Sequence, residues 1–420
     1  MKIAVWHNLP SGGGKRALYY HLRGLVERGH KVDSWSPPTA DLSYLPLREF
    51  LSEHTKAFDW TPFEGHNPFT RLITPYKNIV TKLEAMDRHC RSCAEDINRG
   101  DYDVLFGNAC KFFRTSPIAR YVDLPSVLYL QEPFRALYEA FPELPWPALP
   151  AREAGVGSVL HLKRFVANLV ETQALRIQAR HELANARAFD SMLVNSLFSR
   201  ESVLRAYGLE ANVCYLGVDT NLFIDRRGSR EQFVVGLGAI GPEKRVDMAI
   251  SAIALLPEPR PDLVWIGNVA NQGHLERMRR LAQTSGVTFR PEVGIPDEGV
   301  VDFLNRAALL IYCPRLEPFG LAPLEANACG LPVVAVAEGG VRETIFDGVN
   351  GLLVEDDPAA VADGIQRLLA DPAYASRLGA TGGELVSQRW SLKASIDRLE
   401  QRLVQVADRP KRRFGVAVQG

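Results

Sequence analysis

Glu317 and Glu325, with seven residues between them, are the side chains best placed to do chemistry in this sequence. The segment between them reads Pro318, Phe319, Gly320, Leu321, Ala322, Pro323 and Leu324. Pro323 has the fixed φ and the missing N–H that suit the first turn of a helix, so a helix is expected from about Ala322. Gly330 stands where a left-handed C-terminal cap is wanted, and Pro332 follows it. This places Glu325 in the first helical turn and Glu317 on the loop before it. The N–H groups of Phe319, Gly320 and Leu321 then face outward at the positive end of the helix, a place for an anion such as phosphate. Two hydroxyl-binding carboxylates beside an anion site point to a nucleotide sugar as ligand.

The elements that must position these residues alternate between strand and helix. A strand over 2–6, the turn Leu9 to Gly14, a helix over 15–27 and a strand over 31–35 make a βαβ start with a right-handed crossover. Gly12, Gly13 and Gly14 allow close backbone approach to a phosphate or sugar, or simply make a tight turn; the G-x-G-x-x-G spacing of dinucleotide sites is absent. Residues 36–75 lack periodicity and read as an insertion at the rim. A helix over 77–99 leads to a strand over 103–106, whose carboxyl end carries Gly107, Asn108, Ala109 and Cys110. A strand over 125–130 delivers Gln131, Glu132, Pro133, Phe134 and Arg135 to the same edge, in a loop expected to be exposed. Prolines interrupt residues 141–150. The stretch 159–189 is a basic helix with Lys163, Arg164, Arg176, Arg180 and Arg187 among apolar residues; such a helix can lie on an anionic membrane surface or sit half-buried with its charges solvated. Strand, helix and strand follow over 191–195, 199–207 and 212–215. The second half repeats the rhythm, with strands at 233–237, 263–266, 287–289, 309–312 and 352–354 and helices ending near 256, 284, 307, 346, 369 and 406, as a parallel sheet covered on both faces requires.

Composition sets the limits. A chain of 420 residues is too long for one ordinary core and suits two large domains. Lys plus Arg number 49 and Asp plus Glu number 49, so no bulk charge argues for nucleic acid. The first ten residues are not a signal peptide and no apolar run spans a bilayer, so a cytoplasmic location is expected by default, with contact at the inner membrane face if the basic helix lies there. The six cysteines have no framework spacing and read as reduced thiols. His89, Cys90 and Cys93 make at most half a zinc or redox site, and no metal is expected.

The carboxylate pair, the glycine turns and the two α/β halves together resemble the retaining GT-B glycosyltransferases of family 4, the glycosyl transferases group 1. The likeness covers nearly the whole chain. Glu317 to Glu325 resembles that family's E-x7-E motif, supported by Ala328 to Pro332 and Gly339 to Glu343. Ser11 to Gly14, Asn195 and Ser196 with Phe198, Gly217 to Asp219 with Phe223, and Gly241 to Lys244 add to it. The resemblance implies an α/β fold of two Rossmann-like, doubly wound domains facing an interdomain cleft. Residues 1–215 would bind the acceptor and 216–390 the nucleotide sugar, a helix over 391–408 would cross back to the first domain, and 409–420 would be a tail.

By the same resemblance Glu325 binds ribose hydroxyls and Glu317 holds hydroxyls of the transferred sugar. Phe319, Gly320 and Leu321 present N–H groups to the donor, and Lys244 pairs with the diphosphate. Gly13, Gly14 and Arg245 join the donor side, while Asn108, Gln131, Glu132 and Arg135 form the acceptor side. The reaction implied is transfer from a UDP- or GDP-linked sugar to a hydroxyl of a glycan, glycolipid or small molecule, with α-linkage and without metal or cofactor. Two departures stand out. Ala239 occupies the place of an Arg that the family usually has five residues before the Lys, with Arg245 and Arg315 the nearby cations; Asn108 and Gln131 stand where a His is frequent. They motivate an alternative, a catalytically silent nucleotide-sugar-binding protein of the same fold. A phosphorolytic or epimerising relative is a third reading.

Overall fold

The computed structural model describes residues 1–139 and 159–410, with backbone alone at 159–162. The proline-rich run 141–150 and residues 411–420 of the tail lie outside the described residues. The chain forms two compact units. One comprises Met1–Val194, Arg200–Val213 and the chain from Leu399 onward; the other comprises Asn195–Ser199 and Cys214–Arg398.

The first unit contains, in chain order, β1 (Lys2–Asn8), α1 (Gly13–Glu27), β2 (Lys31–Ser36), β3 (Ser52–Thr55), α2 (Pro68–Arg99), β4 (Val104–Cys110), β5 (Ser126–Tyr129), α3 (Arg135–Tyr138), α4 (Val159–Ala186), β6 (Ser191–Val194), α5 (Leu197–Tyr207, whose first residues belong to the second unit) and β7 (Asn212–Val213). Its strands lie in the order β3-β2-β1-β4-β5-β6-β7, all parallel. The order reverses between β1 and β4, so the loops after those two strands flank the crevice where open α/β sheets take ligands. Ile3, Val5, Val104 and Phe106 are fully buried, as central parallel strands covered on both faces require.

The second unit contains β8 (Phe233–Leu237), α6 (Val246–Ala254), β9 (Asp262–Gly267), α7 (Gln272–Thr284), β10 (Phe289–Val293), α8 (Asp297–Arg306), β11 (Leu309–Tyr312), α9 (Leu321–Ala328), β12 (Val333–Val336), α10 (Val341–Thr344), β13 (Leu352–Val354), α11 (Pro358–Ala370) and α12 (Pro372–Arg389). The sheet order is β10-β9-β8-β11-β12-β13, again parallel. Val234, Leu263, Trp265, Ile311 and Val334 pack with Ile250 and Ile253 of α6 and Ile365 of α11. The final helix α13 (Leu392–Ala407) gives its residues up to Arg398 to the second unit and those from Leu399 to the first.

Several elements differ from expectation. The rim segment 36–75 holds the edge strand β3, and α2 starts at Pro68 and not at Lys77. The Asn67 side chain accepts from Thr70 N–H while the Thr70 hydroxyl accepts from Asn67 N–H, a capping box that starts the helix upstream of Pro75 and runs it through that residue. β4 continues to Cys110, pairing it with Asn8, so Asn108 is a buried strand residue. Arg135 begins a helical turn, where a loop was expected. β10 is displaced towards Val293. α12 is an addition to the expected elements, and two of its glycines are close-contact points: a Cβ at Gly379 would stand 1.9 Å from the Gly330 carbonyl oxygen, and one at Gly382 2.5 Å from the Asn327 side chain. α12 can therefore lie directly against α9.

Candidate active site

β8 and β11 are hydrogen-bonded neighbours, so the segments leaving their carboxyl ends emerge side by side. From the first comes the 3-10 turn Pro242–Lys244 and from the second the loop to Glu317. Lys244 Nζ donates to Glu317 Oε2 at 2.7 Å. Gly238, at φ +150, leaves room for the lysine stem, since a Cβ there would come within 3.3 Å of it. Each of the paired residues is flanked by a non-glycine residue in the left-handed region, Leu316 at φ 51 and Arg245 at φ 53. Backbone strain of this kind persists where the surroundings enforce it.

Those surroundings can be named. Gly340 N–H donates to the Glu317 carbonyl at 2.7 Å. A Cβ at Gly339 would stand 2.4 Å from that oxygen and one at Gly340 2.2 Å from the Pro318 carbonyl, so only glycines let this turn lie against the Glu317 backbone. Ser196 Oγ donates to the Pro318 carbonyl at 2.5 Å. Glu343, one turn beyond the glycines, accepts from the N–H groups of Leu197 and Phe198 and from Tyr215 Oη, and the Tyr215 ring lies 5.9 Å from that of Phe319. The motifs at 195–198 and 339–343, together with Tyr215, thus converge on one short loop, whereas Gly217 to Asp219 lies against Trp390 to Leu392, with Val218 bridged to Ser391.

α9 starts at Leu321, with Gly320 before it at φ 91. Glu325 consequently sits in the second turn, not the first, because the helix begins one residue earlier than Pro323 suggested; it is buried, at 9% exposure. Among the described residues no acceptor takes the N–H of Phe319, Gly320 or Leu321. Tyr312, fully enclosed at the end of β11, has its pKa driven well above the usual range by burial, then by the charge of Glu317 and its hydrogen bond, and by the charge of Glu325. The phenol and both carboxylates therefore share one neighbourhood. Arg245 is ion-paired with Asp356. Arg315 N–H donates to the Glu243 carbonyl, which ties the two loops together.

In the first unit Gly13 and Gly14 open α1, and a Cβ at Gly14 would touch the Gln131 amide at 3.4 Å. Glu132 accepts from Arg114 at 2.8 Å and lies 3.5 Å from Arg135, whose Nε reaches Glu139 at 3.1 Å. Glu132 and Arg135 are thus half-buried members of an ion-pair chain and not the exposed cluster expected. Asn108 is 4% exposed and its Nδ2 has no partner among the described residues. His89 is a core residue: Trp6 Nε1 donates to its Nε2 at 3.2 Å, its Nδ1 lies 3.1 Å from the Ala57 carbonyl, and burial pushes the Cys93 thiol up to about 12.

Sequence reasoning missed Lys15. Its side chain is fully buried below the glycine turn, and its ammonium has no hydrogen-bond partner among the described residues. It acts on His7, whose pKa burial and then the Lys15 charge hold well below the usual range, and on Glu53, raised by burial and lowered in part by Lys15. Ser34 aligns with both Val5 and Glu53, so these polar groups share one face of the sheet near the carboxyl ends of β1 to β3. The signal was present: Lys15 heads the stripe Leu18, Leu22 and Leu25 that faces the sheet, a position for an apolar residue.

Residues 218–384 match the family model described as glycosyl transferases group 1, a stretch lying wholly within the second unit. The chain is 31% identical over 284 residues to D-inositol 3-phosphate glycosyltransferase 1 of Catenulispora acidiphila, covering 60% of this chain and 67% of that relative. The chain belongs to the glycosyl transferases group 1 family. A GDP-mannose-dependent alpha-(1-6)-phosphatidylinositol monomannoside mannosyltransferase of Mycolicibacterium smegmatis is 32% identical over 231 residues, 50% of this glycosyltransferase and 60% of that relative. The chain spans about half the length of several other relatives, 45% of the D-inositol 3-phosphate glycosyltransferase of Frankia alni. Among solved structures, Anabaena Alr3699/HepE in complex with UDP superposes with TM-score 0.68 at 17% identity, over 96% of this chain and 100% of that one. Sucrose-phosphate synthase of Thermosynechococcus elongatus gives 0.69 at 20% identity, over 97% and 99%. At that identity the likeness is one of fold, and the fold is GT-B. As a member of this group the protein is a glycosyltransferase.

Proposed function

We propose that this glycosyltransferase moves a hexose from a UDP- or GDP-linked donor to an acceptor hydroxyl with retention, giving an α-linkage, and that it needs no metal ion. The observation that carries the reading is the Lys244–Glu317 pair at 2.7 Å, set beside three N–H groups at the start of α9 that have no acceptor among the described residues. In the reaction the leaving diphosphate gains negative charge. Lys244 and the N–H groups of Phe319, Gly320 and Leu321 are preorganised to receive it, which lowers the barrier without a divalent cation. A donor draws Lys244 towards its phosphates and offers sugar hydroxyls to Glu317, so the ion pair of the free protein holds both groups in place until both are used. Glu325, on the buried face of α9, takes the ribose hydroxyls. Retention by front-face displacement requires no protein nucleophile. With Arg245 paired to Asp356, Lys244 is the principal cation for the diphosphate.

The first unit takes the acceptor, at the carboxyl ends of β1, β4 and β5 near Gly14, Asn108 and Gln131. Relatives named for inositol phosphate and phosphatidylinositol mannoside acceptors favour a polyol, free or lipid-linked. Among the described residues no helix is long and apolar enough to cross a membrane. Phe165 and Leu169 of α4 are 56% and 51% exposed beside exposed Lys163 and Arg164, which supports peripheral contact with an anionic bilayer as the way to a lipid-linked acceptor.

The deciding experiment incubates the purified protein with radiolabelled UDP- and GDP-sugars and follows both donor hydrolysis and transfer to inositol phosphates and glycolipids. Transfer with an α-linked product in the presence of a chelator is expected. Tight donor binding by calorimetry with no turnover of any donor would replace the enzyme by the silent-binder reading.

A further inference from the structure

The first unit contains a cavity of about 570 Å³ between α2, α4 and the 3-10 turn Pro117–Arg120. That volume falls in the range of small-molecule sites. Its inner wall is apolar, formed by Leu83, Met86, Phe113 and Ile177. Among the described residues its rim carries Arg88, Arg91, Arg120 and Arg180 with His181, against the carboxylates of Glu84 and Asp87.

These charges do not cancel locally. Asp87 already accepts from Arg91 Nε at 2.9 Å and from the Tyr121 hydroxyl. Arg120 lies over the Tyr121 ring, and neither Arg120 nor Arg180 donates a hydrogen bond to an acceptor among the described residues. The excess is felt by His181: burial lowers its pKa first, the charges of Arg180 and Arg120 lower it further, and Asp87 only partly opposes them. Arg91 is bonded to Asp87 and Arg88 to the Asp59 carbonyl. An apolar wall below the Arg120 and Arg180 guanidinium groups, which have no acceptor among the described residues, is complementary to a molecule with a hydrocarbon part and a compact anionic head. Guanidinium matches phosphate in charge and in the geometry of its paired N–H donors.

We propose that this cavity binds a phosphate monoester joined to an apolar group, at a site that belongs to the first unit and does not involve Glu317 or Lys244. Calorimetry on the full chain with n-octyl phosphate, below the concentration at which it forms micelles, tests this against inorganic phosphate and n-octanol. Octyl phosphate should bind saturably, about tenfold or more tighter than inorganic phosphate because its chain is removed from water. The double variant Arg120→Ala/Arg180→Ala should weaken it by about tenfold or more, while Lys244→Ala leaves it unchanged. Both arginines are exposed, so the variant should keep its fold, which circular dichroism checks. Absence of saturable binding, equal affinity in the double variant, or equal affinity for n-octanol overturns the proposal. Flotation with phosphatidic-acid vesicles separates the two sources of this chemistry. Capture lost in the double variant assigns a lipid headgroup, and no capture assigns a free small molecule.

Discussion

Lys244 and Glu317 are 73 positions apart and meet because β8 and β11 are adjacent strands. The Glu317 backbone is held separately by Gly340, so removing either side chain should leave the loop in place. Glu317→Gln is expected to lower kcat by about 10²–10³-fold with a small change in donor KM, the signature of an interaction made chiefly in the transition state. Lys244→Ala should lower kcat and also raise donor KM; steady-state kinetics with the accepted donor checks both. Glu182 offers a pH test apart from the reaction. It is fully buried, accepting from Gln178 at 2.9 Å and Tyr207 at 3.0 Å, and burial pushes its pKa to about 7 against those bonds and the charge of Arg114. The folded state therefore keeps a proton that the unfolded chain releases at its ordinary, lower pKa. Stability from this group is present at low pH, falls as pH rises towards 7 and levels off above it, by up to about 3 kcal/mol in all. Thermal unfolding from pH 5 to 8 should show that decline in the native protein and a smaller one in Glu182→Gln.

Elements are where sequence pattern and packing part company. The strand ends that carry the site were legible, since β8, β11 and β13 lie where apolar runs bounded by turns placed them. Gly339 and Gly340 were legible as a turn, but not for what they touch. Gly339 and Gly340 seat the Glu317 loop, and Gly379 and Gly382 let α12 approach α9. Sequence spacing contains neither contact, because each joins segments far apart in the chain. Gly340→Ala must push the Pro318 carbonyl away, so activity should fall at least about tenfold while the protein stays folded, read by kcat beside a melting curve. Gly379→Ala disturbs α12 where it meets Gly330, past the end of α9 away from the Glu317 loop, and should lower the melting temperature more than it changes donor KM.

Across the whole molecule, two parallel sheets are each built around a covered apolar core, and α13 supplies residues to both units. Leu399 and Leu403 are fully buried in the first unit, so Leu399→Ala should cost about 2–5 kcal/mol and several degrees of melting temperature. UDP or GDP, whichever is the leaving group, should raise the melting temperature, and the other should do so less, because only a ligand of the native state shifts the equilibrium. The sequence by itself determined the class of fold, through strand and helix alternation, and it marked out candidates for the site: Glu317 and Glu325 by the spacing of one loop and helix, and Lys244 by family resemblance. Tertiary structure alone decided which groups answer each other. It paired Lys244 with Glu317, committed Arg245 to Asp356, gathered Glu132 and Arg135 into an ion-pair chain and enclosed Lys15 beneath the glycine turn. The physical reason is range: capping, turns and periodicity act over a few residues and are written locally, whereas burial and charge pairing depend on neighbours that only the folded sheets bring together.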